Sequence, residues 1–282
     1  MRRRARPGKS VAAGSTPSAG PRDPASAATS APVIVSRCAF IPTGADHNRA
    51  EPNSAHAAMI IVHHLNNSRS QRVLWLLEEL GIPYEIQKYE RDPKTMLAPP
   101  ALLKVHPLGK SPVITEDGVT VAESGAIIEY LLERHGGGRL MPPPGTPERL
   151  RFTYWLHFAE GSAMSPLLMK LVFDRIETSP MPFFAKPIAR AISGKVKKAM
   201  IEPNLKRQLD YMESELTKTE WFAGNDFSAA DIQMSFPVEA AAQRAGLDAS
   251  RPKLMTWLKK IHARNAYRKA LERGGPYSFA ND

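Results

Sequence analysis

Hydroxyl, amide and acidic side chains gather at two places in this sequence where a helix is about to begin. Asn66, Asn67, Ser68 and Ser70 stand between an apolar run and an amphipathic one, and Glu123-Ser124 opens a later helical stretch. A helix N-terminus carries free backbone N–H groups and a partial positive charge. Side chains placed there either cap the helix or complete a site for an anion. Ser68 and Ser124 are the candidates for that chemistry, and capping explains each of them equally well. A third cluster, Ser228-Ala-Ala-Asp231, has the spacing of a capping box and reads as structural. Other chemistries lack their residues. His63 and His64 are neighbours on a strand, point to opposite faces and cannot share a metal from there. The eight histidines show no HExxH spacing, and there is no GxSxG or P-loop. The single cysteine, Cys38, excludes a disulfide framework and any zinc site built on two cysteines. It fits a reducing compartment, and the expected location is cytoplasmic.

The elements that must position these residues are legible from residue 59 onward. Met59 to His64 is a short β-rich run. Val73, Leu76, Leu77 and Leu80 recur at helical spacing, and Gly81-Ile82-Pro83 ends that helix. Tyr84 to Tyr89 alternates as a second strand, and Pro100 to Val105 reads as a short helix. Val113-Ile114 and Val119 to Val121 flank Glu116-Asp117-Gly118 as a hairpin, and a helix runs from Glu123-Ser124 to about His135. The order is βαβ, α, ββα, the thioredoxin-like order of a mixed four-stranded sheet with helices on both faces. Gly136-Gly-Gly138 and Pro142-Pro-Pro144 break it. Beyond them only helical faces follow: Phe152, Trp155, Leu156 and Ala159; Ile201, Leu205, Leu209, Met212 and Leu216; Leu254, Trp257, Leu258 and Ile261. The fold class is therefore α/β followed by all-α, with domains at 59–138 and 147–279 and a linker at 139–146. The proline-broken stretch from Ser179 to Gly194 leaves its helix ends open.

Residues 1–58 are rich in Ala, Pro, Ser, Gly and Arg, show no sustained period and are expected to be disordered. A start at Met59 is favoured over a targeting segment. They hold 8 Lys and Arg against 3 Asp and Glu, half of the net charge of +10, so the body of the chain is only mildly basic. Without an RNP motif, a zinc knuckle or an aromatic-studded basic stripe, nucleic acid is not an expected partner. No apolar run reaches the ~18 residues of a membrane span, so no membrane partner is expected.

Three segments, taken together, resemble the glutathione transferases: Leu65-Asn-Asn-Ser-Arg-Ser-Gln-Arg-Val-Leu-Trp-Leu-Leu-Glu-Glu-Leu-Gly81, His106-Pro-Leu-Gly-Lys-Ser-Pro-Val113 and Val121-Ala-Glu-Ser-Gly125. The resemblance covers about Met59 to Phe279, and the His-Pro-Leu-Gly-Lys-Ser-Pro segment is similar to that of a serine-type fungal and bacterial subgroup. It implies a cytosolic, homodimeric enzyme that conjugates glutathione, as co-substrate, to small hydrophobic electrophiles, in the manner of detoxification. No metal or bound cofactor is implied. A glutathione-dependent peroxidase is a close variant, and a non-catalytic binding or scaffold protein is the alternative. Ser68, four residues before Arg72, would donate a hydrogen bond to the thiolate, with Asn66, Asn67 and Ser70 as competitors for that place. Pro112 would be cis and Val113 would pair with the cysteinyl backbone. Lys110 and Ser111 flank that site, with Lys110 reaching the glycyl carboxylate. Ser124 would take the γ-glutamyl carboxylate and Glu123 its amino group. Tyr154, Phe158 and Met164, with Leu168 nearby, would wall the electrophile pocket, whereas Trp155 reads as core.

Overall fold

The β-branched run Ile60–Leu65 forms β1 and pairs in parallel with β2, Tyr84–Tyr89, so that Val62 faces Ile86 in register. The computed structural model describes residues 59–280; the disordered tail expected over 1–58 lies outside the described residues. Parallel pairing needs a crossover, and α1, Ser70–Leu80, supplies it. Helix α1 ends where Gly81 enters the left-handed region at φ 64° and its N–H bonds to Glu78 O. Glycine adopts that conformation without a Cβ penalty. β3, Val113–Glu116, and β4, Val119–Ala122, form the hairpin, with Asp117 and Gly118 both at positive φ as a two-residue turn requires. Strand order is β2-β1-β3-β4, with β3 antiparallel to both neighbours, and α2, Ser124–His135, packs against the sheet. The thioredoxin-like order read from the sequence is the observed one. The short helix expected after β2 is a 3₁₀ turn, Pro100–Lys104.

Helix α3, Pro147–Phe158, begins with Thr146 accepting the Arg149 N–H and a proline at the first helical position, where no N–H is missed. It continues through a wide π turn, Ala159–Ala163, into α4, Met164–Thr178. The proline-broken stretch yields α5, Ala185–Val196, because Pro187 falls in the first turn, where its absent N–H breaks no helical bond. A second π turn leads to α6, Glu202–Lys218. Helices α7 (Ala229–Arg244), α8 (Pro252–His262) and α9 (Asn265–Gly274) complete the fold. Helix α9 lies so close to α1 that a methyl on Gly274 would sit 2.9 Å from Leu74 Cδ1.

Helix α7 is buried along nearly its whole length, so its start must be anchored from within. The capping box read from the sequence forms: the Ser228 hydroxyl accepts the Ala230 N–H, and Asp231 accepts the Ser228 N–H at 3.1 Å. Asp231 does more than the box requires. Its other oxygen accepts the Phe222 N–H and the Trp257 indole N–H, both at 3.0 Å, tying α7 to the loop before it and to α8. Burial pushes the Asp231 carboxyl up to about 6, against hydrogen bonds from Phe222, Trp257 and Ser228 that hold the charged form. Loss of a cap alone costs ~1 kcal/mol. Asp231→Ala also strands two buried N–H groups, and it is expected to lower unfolding stability by roughly 3–4 kcal/mol in urea titration. A loss near that of the cap alone would mean that water replaces the carboxylate.

Candidate active site

Several of the residues expected at the site line a cleft of about 630 Å³ between the sheet and the helical half. Lys110, Ser111, Pro112, Glu123 and Ser124 line its sheet side. Arg69, at the start of α1, lines it too, as do Glu160 and Leu168 from the helical half. Arg91, Met96 and Leu97, from the loop after β2, close one end. Each lies at the end of an element: Glu160 on the π turn, Glu123 between β4 and α2, Arg69 at the helix cap.

The 111–112 peptide bond is cis, as the resemblance implied. Ser111 clasps this loop to the end of β1, donating to His63 O at 2.7 Å and accepting the Leu65 N–H at 3.2 Å. Its hydroxyl is thus already engaged by backbone. Glu123 is exposed at the mouth with φ 71°, ψ 126°, and makes no cap hydrogen bond to α2. A non-glycine residue in that region costs of order 1–3 kcal/mol, a strain that gathers at ligand sites. Ser124 is buried and its hydroxyl accepts from Arg72 Nη2 at 3.0 Å, which leaves its proton free to donate into the cleft.

Arg72 has 1% exposure. Its guanidinium donates to Gln233 O on α7 at 2.6 Å, to Ser124 Oγ and to Glu160 Oε1 at 2.5 Å. Glu160 also accepts from Arg69 Nε through both oxygens, at 3.0 and 2.9 Å. Burial pushes the Glu160 carboxyl up, but the charges of Arg72 and Arg69 outweigh it and hold it below the ordinary value. The ring of Phe236 on α7 lies under both guanidiniums, with centroid distances of 4.9 Å to Arg69 and 5.5 Å to Arg72.

The hydroxyl and amide cluster before α1 is committed elsewhere. Asn66 Oδ1 accepts the Arg91 N–H at 3.1 Å, and Asn67, at φ 49°, accepts the Ser278 N–H at 2.7 Å. Ser70 Oγ bonds to His64 Nδ1 at 2.8 Å. Ser68 is 4% exposed and does not line the cleft; its Oγ lies 2.7 Å from Ser70 Oγ and accepts the Ser70 N–H at 3.2 Å. The residue of that turn that does line the cleft is Arg69. Burial, with the charge of Lys88, pushes the His64 imidazole down to about 4, so it is neutral near pH 7.

Other expected site residues lie outside the cleft lining. Val113 is buried in β3, in register with His63 and Ala122. Tyr154 and Phe158 share a helix face, but that face turns to α6: their rings stack at 5.6 Å, and Tyr211 lies 6.3 Å from Tyr154. Met164 is buried beside them in the helical core. Trp155 is fully buried, as core. Of the residues on α3 and α4 expected to wall the electrophile, Leu168 lines the cleft. Sequence reasoning passed over Arg69, Arg91 and Glu160. The position of Arg69 beside Ser68 at a helix start was the one available signal. Among the described residues no cluster of His, Cys, Asp and Glu could hold a metal, and no helix is long and apolar enough to cross a membrane.

Comparison with known proteins identifies the family to which this fold belongs. The family model of the glutathione S-transferase N-terminal domain matches residues 68–134, and that of the C-terminal domain matches 181–265. Glutathione S-transferase 3 of Schizosaccharomyces pombe is 39% identical over 216 residues, covering 76% of this chain and 88% of that protein. Glutathione S-transferase 1 of Saccharomyces cerevisiae is 34% identical, over 76% of this chain and 95% of that protein. Among solved structures, a glutathione S-transferase of Actinobacillus pleuropneumoniae superposes with a TM-score of 0.64 at 28% identity, covering 79% of this chain and 97% of its own. A Phanerochaete chrysosporium glutathione transferase, solved with oxidized glutathione, superposes at 0.60 with 26% identity over 78% and 98%. With both halves of the fold matched, and identity of this level spanning most of each relative, the chain belongs to the glutathione S-transferase family and is a glutathione transferase.

Proposed function

We propose that glutathione lies extended in the cleft with its γ-glutamyl end at Glu123 and Ser124, its cysteine beside the cis Ser111–Pro112 loop and Val113, and its glycyl carboxylate toward Lys110. Its thiol then faces Arg69 and the start of α1, and the second substrate is a small apolar electrophile. The observation that carries this reading is the meeting, in one cleft, of an acidic residue, a buried hydroxyl donor and cations, the groups that would answer the two carboxylates and the amino group of an anionic tripeptide. A free thiol titrates near ~8.5 and is mostly protonated at neutral pH; lowering it by about 2 units takes about 2.7 kcal/mol of preference for the thiolate. Arg69 and the α1 N-terminus supply positive potential where that charge develops. The thiolate sulfur then bonds to the electrophilic carbon, and the leaving group departs with the bonding electron pair. Ser68 reaches the sulfur only by giving up its bond to Ser70, so its part is secondary to that of Arg69.

A homodimer belongs to the same reading. Leu150, Met169 and Val172 on α3 and α4 are exposed apolar side chains suited to a second copy. A cytoplasmic location and a part in detoxification complete it.

Ultraviolet titration of bound glutathione tests the activation. The bound thiol is expected to ionise well below its free value, and Arg69→Gln to raise its pKa by about 1 unit, more than Ser68→Ala does. A larger effect from Ser68→Ala would return the thiol to the serine. An unshifted thiol in the unmodified protein would leave a glutathione-binding module without activation. A second variant separates strain from function. Glu123→Gly relieves the backbone at φ 71° and is expected to leave stability within about 0.5 kcal/mol. It removes the contact to the γ-glutamyl amino group, so the dissociation constant for glutathione rises about tenfold in calorimetric titration. Unchanged affinity would detach Glu123 from the ligand.

A further inference from the structure

Charges around the cleft do not balance once glutathione is accounted for. Arg69 and Arg72 share Glu160, and in the proposed pose Lys110 is answered by the glycyl carboxylate. Arg91 also lines the cleft, and its side chain makes one hydrogen bond, a 3.2 Å contact to Met96 O. Arg175 stands on α4 seven residues, about two turns, beyond Leu168 and so on the same helix face, past the residues that line the cleft. Arg244, near the end of α7, rests over the Phe279 ring at 4.9 Å. Among the described residues no carboxylate pairs with Arg91, Arg175 or Arg244. Burial, then the charges of Arg69 and Arg175, push the Arg91 guanidinium below its ordinary value; burial and Arg175 do the same to Arg244. Arg175 therefore stands near enough to both to be felt electrostatically. Next to this unbalanced edge is an apolar wall of Met96, Leu97 and Leu168.

A guanidinium fork matches a carboxylate or similar oxyanion with two parallel hydrogen bonds, and like charges in a cleft raise the local concentration of anions. We propose that the second substrate of this cleft is an amphiphilic organic anion, with its oxyanion head held by Arg91 and Arg175 and its apolar body against Met96, Leu97 and Leu168. This rests on the glutathione pose above and names the substrate class of that same site. It explains why a cleft that handles apolar electrophiles is edged by guanidiniums that glutathione does not use.

The test needs no turnover. S-benzylglutathione and S-(4-carboxybenzyl)glutathione differ by one carboxylate on the part that stands for the electrophile. Titration calorimetry of the full chain is expected to show the carboxylated derivative binding roughly tenfold tighter, the yield of one charge-assisted contact at a partly exposed site. Raising the salt should shrink that preference. Arg91→Gln and Arg175→Gln should each weaken the carboxylated derivative several-fold more than the benzyl one. Equal weakening of both derivatives by Arg91→Gln would assign that arginine to the glycyl carboxylate and overturn the proposal. So would equal affinity of the two derivatives for the unmodified protein while glutathione itself binds. If neither glutathione nor either derivative binds, the pose falls, and this inference with it.

Discussion

A guanidinium with 1% exposure is the constraint around which the rest of this structure is arranged. Arg72 cannot shed its proton, so its charge has to be met where it lies. Burial alone works against it, and the Glu160 carboxylate is the opposing charge. Removing one partner of such a pair typically costs 3–5 kcal/mol because the other charge is left uncompensated. Its three acceptors come from three different elements: Gln233 O from α7, Ser124 Oγ from α2 and Glu160 from the π turn. One residue of α1 thus fixes how the sheet half and the helical half meet. The position of Ser124 at the mouth of the cleft follows from the same contact.

The π turn is part of that arrangement. Helices α3 and α4 would otherwise run as one regular helix, and the wider turn over Ala159–Ala163 re-aims the residues that follow. Glu160 stands inside it, with its carboxylate toward two arginines four and seven residues beyond the end of β1. Phe236 underlies both, so the guanidiniums lie between a carboxylate and an aromatic face. The C-terminal segment packs onto the same group: Phe279 lies 5.0 Å from Phe236, and Ser278 donates to Asn67 in the β1–α1 turn. The turn that presents Arg69 to the cleft is therefore held from behind by residues more than two hundred positions away.

What the sequence disclosed follows from what local patterns encode. Helical apolar spacing at Val73, Leu76, Leu77 and Leu80 marks a face that any packed helix must bury, and all four are buried. Gly81, the Asp117-Gly118 turn and the Ser228 to Asp231 box are each tied to a backbone conformation that few residues satisfy. Site residues are different. Arg69, Arg91 and Glu160 are of types that most often lie on a solvated surface, and apart from the place of Arg69 at a helix start nothing in their spacing separates them from Arg134 or Glu129. Only tertiary placement makes them line a cleft. The aromatic pair Tyr154 and Phe158 shows the converse: the helical period placed them on one face, but which neighbour that face meets depends on Tyr211 of α6, more than fifty residues further on. Ser68 and Arg69 follow the left-handed residue Asn67 in one short turn, where a loop's register is not legible to a single residue: Arg69 lines the cleft and Ser68 is buried against Ser70.

That turn bears on how thiolate stabilisation is divided. A helix N-terminus contributes ~0.3–1 kcal/mol to a charge beside it, short of the roughly 2.7 kcal/mol needed for a shift of 2 units. A hydroxyl donating to a charged acceptor is worth ~1.5–3 kcal/mol, but Ser68 must first break a bond of ~1 kcal/mol to Ser70. Arg69 needs no such rearrangement. Its Nε is fixed by Glu160, and Arg69 lines the cleft. The pairing does not cancel its charge, because Glu160 is shared with Arg72, so two cations stand against one anion. The surplus positive charge lies at the edge that the thiol faces in the proposed pose. A donor already in place when charge develops stabilises it without reorganisation, which is the condition under which fixed electrostatics outweigh a mobile hydroxyl.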